Sequence, residues 1–302
     1  MTMTAAVWRA LPRRRLAVPA RWRNPVGIAG AIMVGFVVLT ALVGHLLWTT
    51  DPNNPAWTRL QGPSWAHPFG TDDLGRDTLA RVIHGAQVSL YVGVIAVGIS
   101  LGAGLVLGLV SAYYRGFVDL ALMRLVDIVF AFPLLVLAIL IVGLLGPSRR
   151  NAMIAIGIVY APAFARVIRG AALEVLGFPF IESARSLGAN DLRIVARHVL
   201  PNIVAPVIVL TTVYFSQAIL GEAFLSFLGL GTQPPEAAWG NMLASARNFI
   251  ESSVWMSVFP GLAIMFAVLG FNFLGDGLRD ILDPRLGGVA DELVVKSKTI
   301  DA

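Results

Sequence analysis

Six apolar stretches, five of them free of Asp, Glu, Lys and Arg, dominate this sequence: Val26–Trp48, Val88–Tyr114, Ile128–Gly146, Asn151–Val167, Ile203–Gly221 and Val254–Gly275. Each approaches or exceeds the roughly twenty residues that a helix needs to cross the hydrocarbon of a bilayer. Backbone N–H and C=O groups in hydrocarbon must be satisfied within the structure, so single stretches of this length are read as helices. The sequence is 57% hydrophobic and 14% charged, against roughly half and roughly a quarter in soluble domains. Little is left for a domain outside the membrane. The expected fold is all-α, a polytopic membrane helical bundle of about six transmembrane helices.

The first stretch follows Arg9, Arg13, Arg14, Arg15, Arg21 and Arg23, as the core of a secretory leader would. It is longer than a leader's core of about 7 to 15 residues and lacks a small-x-small cleavage site, so it reads as the first span. Asn151–Val167 carries Arg166 near its end, which is expected to snorkel to the interface. Six spans put both termini on one side. Of the 23 lysines and arginines, 17 then fall on that side and 6 on the other. Lys and Arg gather on the cytoplasmic side, which assigns the termini to the cytoplasm. The expected organisation is a basic cytoplasmic tail over 1–25, a transmembrane domain over 26–286 and a cytoplasmic tail over 287–302. Within the transmembrane domain, external loops cover 49–87 and 222–253, and a cytoplasmic loop covers 168–202. The net charge of +5 is thereby explained by topology, and no nucleic-acid partner is expected.

Several chemistries lack their residues. Gly98-Ile-Ser100-Leu-Gly102 matches the spacing of a nucleophile elbow, but it lies inside an uncharged span rather than at a strand-turn-helix. Gly98-x-x-x-Gly102 and Gly104-x-x-x-Gly108 instead suit close helix approach. Lys296 and Lys298 are the only lysines, and neither stands in a phosphate-binding loop, so ATP would have to be bound by another chain. Cysteine is absent, and His45, His67, His84 and His198 show no metal-ligand spacing. Pro133 and Pro206 are expected to kink their spans.

The loop from Phe178 to Asn202 carries the most information. Ile181, Ala184 and Leu187 form one apolar stripe, and Leu192, Val195, Ala196 and Val199 a second. Gly188 suits a helix C-terminus, Asn190 or Asp191 can cap the next helix, and Pro201 is expected to end it. The result would be a helix-turn-helix outside the membrane, or a simple amphipathic connector on the headgroups.

Glu182-Ser183-Ala184, then Gly188, then Leu200-Pro201 after His198, resembles the EAA loop of importer permeases, with Ser183 in place of an alanine. Three more stretches resemble the peptide and nickel branch of that family: His67 to Asp77, Glu222 to Pro235 with Trp239-Gly240, and Phe271 to Asp280 with Asp283-Pro284-Arg285. The chain is therefore identified as similar to the permease subunit of a bacterial peptide-type ABC importer. The resemblance implies the type I permease fold. It also implies a second homologous permease, two ABC ATPase subunits that bind ATP and Mg, and an extracytoplasmic solute-binding protein, with no cofactor on this chain. Glu182, Ser183, Ala184, Gly188, His198, Leu200 and Pro201 would form the ATPase-coupling loop.

Read physically, Thr71 to Asp73 is a helix start. Pro234-Pro235 with Trp239 positions an apolar contact or stiffens a loop, and Asp276 and Arg279 are spaced to pair. Gln217 and Glu222, near the end of a span, are expected either to face the bundle interior, as candidates for the solute path, or to mark a helix end at headgroup level. A secondary transporter or channel would need intramembrane ionisable residues, of which the spans hold few beyond Asp127 and Glu222.

Overall fold

The computed structural model describes residues 24–282, which form ten α-helices and no strand among the described residues. The N-terminal tail up to Arg23, the Asp283-Pro284-Arg285 stretch and the tail over 287–302 lie outside them. Asn24 opens α1 (Pro25–Leu47), its side chain accepting the Val26 N–H while Pro25 occupies the first turn. Asp77 does the same for α2 (Thr78–Tyr114), accepting from Ala80 N. At 37 residues α2 is far longer than the predicted span, about 55 Å at the rise of a helix. Its first turns therefore stand clear of hydrocarbon about 30 Å thick.

The kink expected at Pro133 is present and sharper than a bend within one helix: α3 (Gly116–Phe130) and α4 (Leu134–Leu145) meet at 90°, and α3 begins well before the expected Ile128. Pro133 lacks an N–H and disfavours a helical conformation at Phe132, so the helix stops and restarts there. Five helices are long and apolar enough to cross a membrane, and the bent pair makes six if it counts as one crossing. Next come α5 (Arg149–Leu176), α6 (Pro179–Ser186), α7 (Asp191–Ile194) and a π turn over Val195–Val199. Beyond them lie α8 (Leu200–Phe227), α9 (Trp239–Ala246) and α10 (Trp255–Leu282). Pro206 lies inside α8, which continues through it.

Small residues set the helix packing. A methyl on Gly104 would lie 2.3 Å from Phe164 Cβ, and one on Gly108 2.7 Å from the Ala165 carbonyl, so α2 and α5 touch backbone to side chain. Ser100 Oγ reinforces the pair by donating to the Gly157 carbonyl at 2.9 Å. Gly98 and Gly102 meet nothing within 4 Å, so only one of the two glycine registers is used inside the chain. Gly27 and Gly277 bring α1 and α10 into backbone contact. Between these helices, Val92, Val142, Phe164, Ile168 and Leu225 are wholly buried.

Candidate functional site

The connector between α5 and α8 is built around one turn. At the end of α6, Gly188 N–H donates to the Arg185 carbonyl at 2.9 Å and Ala189 N–H to the Ala184 carbonyl at 3.1 Å, the pattern that closes a helix on a left-handed residue. Gly188 has φ +80°, and nothing lies within 4 Å of where a Cβ would stand. The demand for glycine is thus conformational and not steric. Asn190 Oδ1 then accepts the Arg193 N–H at 2.9 Å and starts α7. Tyr113, at the end of α2, donates its hydroxyl to Asp191 at 2.6 Å, and Ile181, Ile194 and Val199 are buried beneath the connector.

The predicted stripes are only partly present. Ile181 and Val199 face the bundle, but Leu187 is 88% and Leu192 77% exposed, Ala196 is exposed, and Ile194 takes an inner position. Helices of eight and four residues are too short for periodicity to fix a face. Pro201 does not end the second helix. Leu200 N–H bonds back five residues to the Val195 carbonyl, and Pro201, lacking an N–H, sits in the first turn of α8 where none is needed. Asp191–Phe227 is consequently one run of 37 residues. Glu182 is exposed, and Ser183 Oγ donates to the Pro179 carbonyl at 3.2 Å. His198 is half-buried with its ring 6.2 Å from Phe180, and its carbonyl accepts from Asn202.

At the other end, the loop before α2 holds a buried charge network. Asp72 Oδ1 accepts the Leu74 and Arg76 N–H groups, and its Oδ2 lies 2.6 Å from Arg76 Nε and 3.5 Å from Arg81 Nε. Asp72 thereby turns the chain back, and Thr71 bridges to Asp77. The helix expected to start at Thr71–Asp73 begins instead at Thr78. Asp77 also holds His67 Nδ1 at 2.9 Å and Trp48 Nε1 at 3.2 Å. Trp239, expected to make an apolar contact or stiffen its loop, is 2% exposed, and its indole N–H donates to the Val82 carbonyl at 2.9 Å.

A cavity of about 800 Å³ lies between α4, α5 and α8, lined among others by Leu135, Tyr160, Tyr214, Gln217 and Phe224. Gln217 is exposed toward it, and Tyr160 donates its hydroxyl to the Gln217 carbonyl at 3.2 Å. Glu222 is wholly buried: its Oε1 accepts from Ser226 at 2.6 Å and Thr232 at 3.2 Å, and Oε2 has no partner. Gly221 and Ala223 line the cavity on either side of it, but the carboxyl itself does not reach there.

Two ion pairs were not legible as pairs. Arg169 bonds Asp119 through Nε and Nη2, both at 2.6 Å, and Arg166 Nη2 lies 2.7 Å from Asp127. Arg166, expected to snorkel to the interface, bonds Asp127 of a neighbouring helix. Only the two arginines' helical spacing and the isolated aspartates hinted at this. Asp276 and Arg279 form no ion pair among the described residues; Asp280 instead accepts a hydrogen bond from the Asn24 amide.

Both the sequence and the fold match known proteins. Residues 104–288 match the family described as binding-protein-dependent transport system inner membrane component. The chain is 46% identical to the dipeptide transport system permease protein DppC of Alkalihalophilus pseudofirmus, over 87% of each chain. It is 42% identical to the glutathione transport system permease protein GsiD of Pectobacterium atrosepticum, over 92% of this chain and 91% of that one. A solved structure of the MetNI methionine ABC transporter shares the fold, with a TM-score of 0.53 at 19% identity, covering 67% of this chain and 96% of its counterpart.

Proposed function

Since this chain belongs to the family of binding-protein-dependent transport system inner membrane components, and is a permease of an ABC importer, we propose that it forms half of a pathway for peptides or a related small solute. In this reading the segment from Phe178 to Pro201 faces the cytoplasm and couples the pathway to two ATPase subunits, which bind the ATP and Mg. Glu182, Ser183, Ala184, Gly188, His198, Leu200 and Pro201 belong to that coupling element. The chain catalyses nothing itself. A second homologous permease completes the pathway, and an extracytoplasmic binding protein delivers the solute to the opposite face, where Trp65 is fully exposed.

One observation carries the proposal. Leu187 and Leu192 are exposed on either side of a turn whose shape is fixed by Gly188, an apolar surface made before any partner arrives. ATP-driven closure of the ATPases would move this element, and the cavity beside Gln217 would alternate in access with it. Only differential binding of ATP to the two states can drive such a switch. The test is reconstitution of the chain with the second permease, both ATPases and the binding protein in vesicles. ATP-dependent, vanadate-sensitive uptake of a dipeptide is expected, lost when the ATPases are omitted. Uptake by the permeases alone would overturn the proposal.

A further inference from the structure

The pairs joining α3 to α5 differ in how firmly they are made. Asp119 is held by two bonds from Arg169 and a third from Ser111, a brace with little room for exchange. Asp127 and Arg166 share one bond of 2.7 Å, and their side chains are 48% and 49% exposed. Both pairs border a cleft of about 780 Å³ that also touches Gly116, Leu120 and Met123. Asp127 and Arg166 stand at the ends of their apolar stretches nearest the 168–202 loop, where half-exposed charges meet water or headgroups. The Arg166 guanidinium lies 4.2 Å over the Phe130 ring. The chain bends just beyond, and Leu134 and Leu135 on the far side of the bend line the apolar 800 Å³ cavity. Asp127 thus lies just before the bend, and Arg166 within about two helical turns of Tyr160, which lines that cavity.

We infer that Asp127 and Arg166 form an exchangeable pair that receives a zwitterionic solute, its carboxylate on Arg166 and its ammonium on Asp127; this rests on the pathway reading above. A zwitterion leaving an apolar cavity carries two charges that need partners. An ion pair supplies both, and closes on itself when the solute has gone. Asp127 and Arg166 compensate each other when the pair is closed, and each is compensated by one end of the solute when it is occupied, so neither residue is left unpaired in either state. A cluster of one sign would hold a zwitterion by one end and repel the other. Arg166 suits the carboxylate because its fork of donors matches carboxylate geometry.

This chain holds no cysteine, so modification of a thiol introduced into it can be read by mass on its own peptide, whatever cysteines the partner subunits carry. Met123→Cys places a single thiol in the cleft without touching either pair. In vesicles holding the complete transporter, N-ethylmaleimide should modify it, since the reacting thiolate forms only where water reaches. Dialanine should slow the modification, and N-acetyl-dialanine amide, which carries neither charge, should not. Adding Asp127→Asn with Arg166→Gln should abolish the slowing. No modification at Met123→Cys, equal slowing by both peptides, or slowing that survives the double substitution would overturn the inference. ATP-driven uptake of dialanine by the same vesicles separates the two levels. Uptake without selective protection removes the site alone, whereas selective protection without uptake keeps the site and removes the peptide reading of the cargo.

Discussion

The Trp48–Asp77 loop and the connector from Gly177 to Val199 both lie between long helices and both carry several charges, yet they place them in opposite ways. In the loop, Asp72, Arg76, Asp77 and the neighbouring Arg81 are each less than 10% exposed and bonded to one another or to nearby backbone and side chains. In the connector, Glu182, Arg185, Arg193 and Arg197 point to solvent, and so do the apolar Phe178, Phe180, Leu187 and Leu192. The loop's buried charge network is complete within the chain. The connector is ordered by the buried Ile181, Ile194 and Val199, one tyrosine hydrogen bond and one glycine turn, and it leaves apolar surface for another protein.

Asp72→Ala should break the loop's side of this contrast most severely. It strands Arg76 and Arg81 in a buried site, a change worth about 3–5 kcal/mol, and the melting temperature of the purified protein in detergent should fall accordingly. An unchanged melting temperature would mean the network holds nothing. Ile181→Ala should cost about 2–3 kcal/mol, felt locally. Hydrogen exchange should quicken in residues 179–199 while α2 and α5 keep their protection. Exchange that quickens throughout would show that the connector is no separate unit.

Glu222→Gln sharpens the contrast at the level of the pathway. The amide keeps the shape and one accepting oxygen for Ser226, so a cost of about 1 kcal/mol or less is expected, with the relative uptake rates of different peptides unchanged. Altered ratios would place Glu222 on the solute path despite its burial. Leu187→Ser with Leu192→Ser should move the melting temperature least, by the equivalent of about 0.5 kcal/mol or less, because these side chains touch solvent; ATPase attachment should weaken all the same. A large loss of stability would show that the two leucines pack within the chain.

Much of this was readable from the residues. The apolar stretches gave the helices, because hydrocarbon admits little else, and Gly188 and Asn190 gave the turn, because each has a local conformational reason. What local pattern could not supply was set by contacts distant in sequence. α2 begins ten residues before Val88 because Asp72 neutralises Arg81 from a loop. Pro133 breaks the span expected over Ile128–Gly146 for a local reason, but the packing of the preceding helix on α5 through Asp119 and Arg169 joins residues far apart in sequence. Pro201 continues a helix because a π turn removes the need for its missing N–H. Short amphipathic helices misled for a related reason, since half of the connector's apolar face is turned away from this chain.

The most direct measurement is the amount of ATPase that co-purifies with the Gly188→Val chain from membranes where variant and wild type accumulate equally. A β-branched residue at φ +80° costs about 1–2 kcal/mol in the left-handed region. If the connector relaxes to avoid that strain, attachment should fall by a factor of about 5–30, and solute-stimulated ATP hydrolysis in reconstituted vesicles should fall with it. Wild-type attachment and wild-type hydrolysis in Gly188→Val would contradict the account, because the turn that shapes the connector would then be irrelevant to coupling.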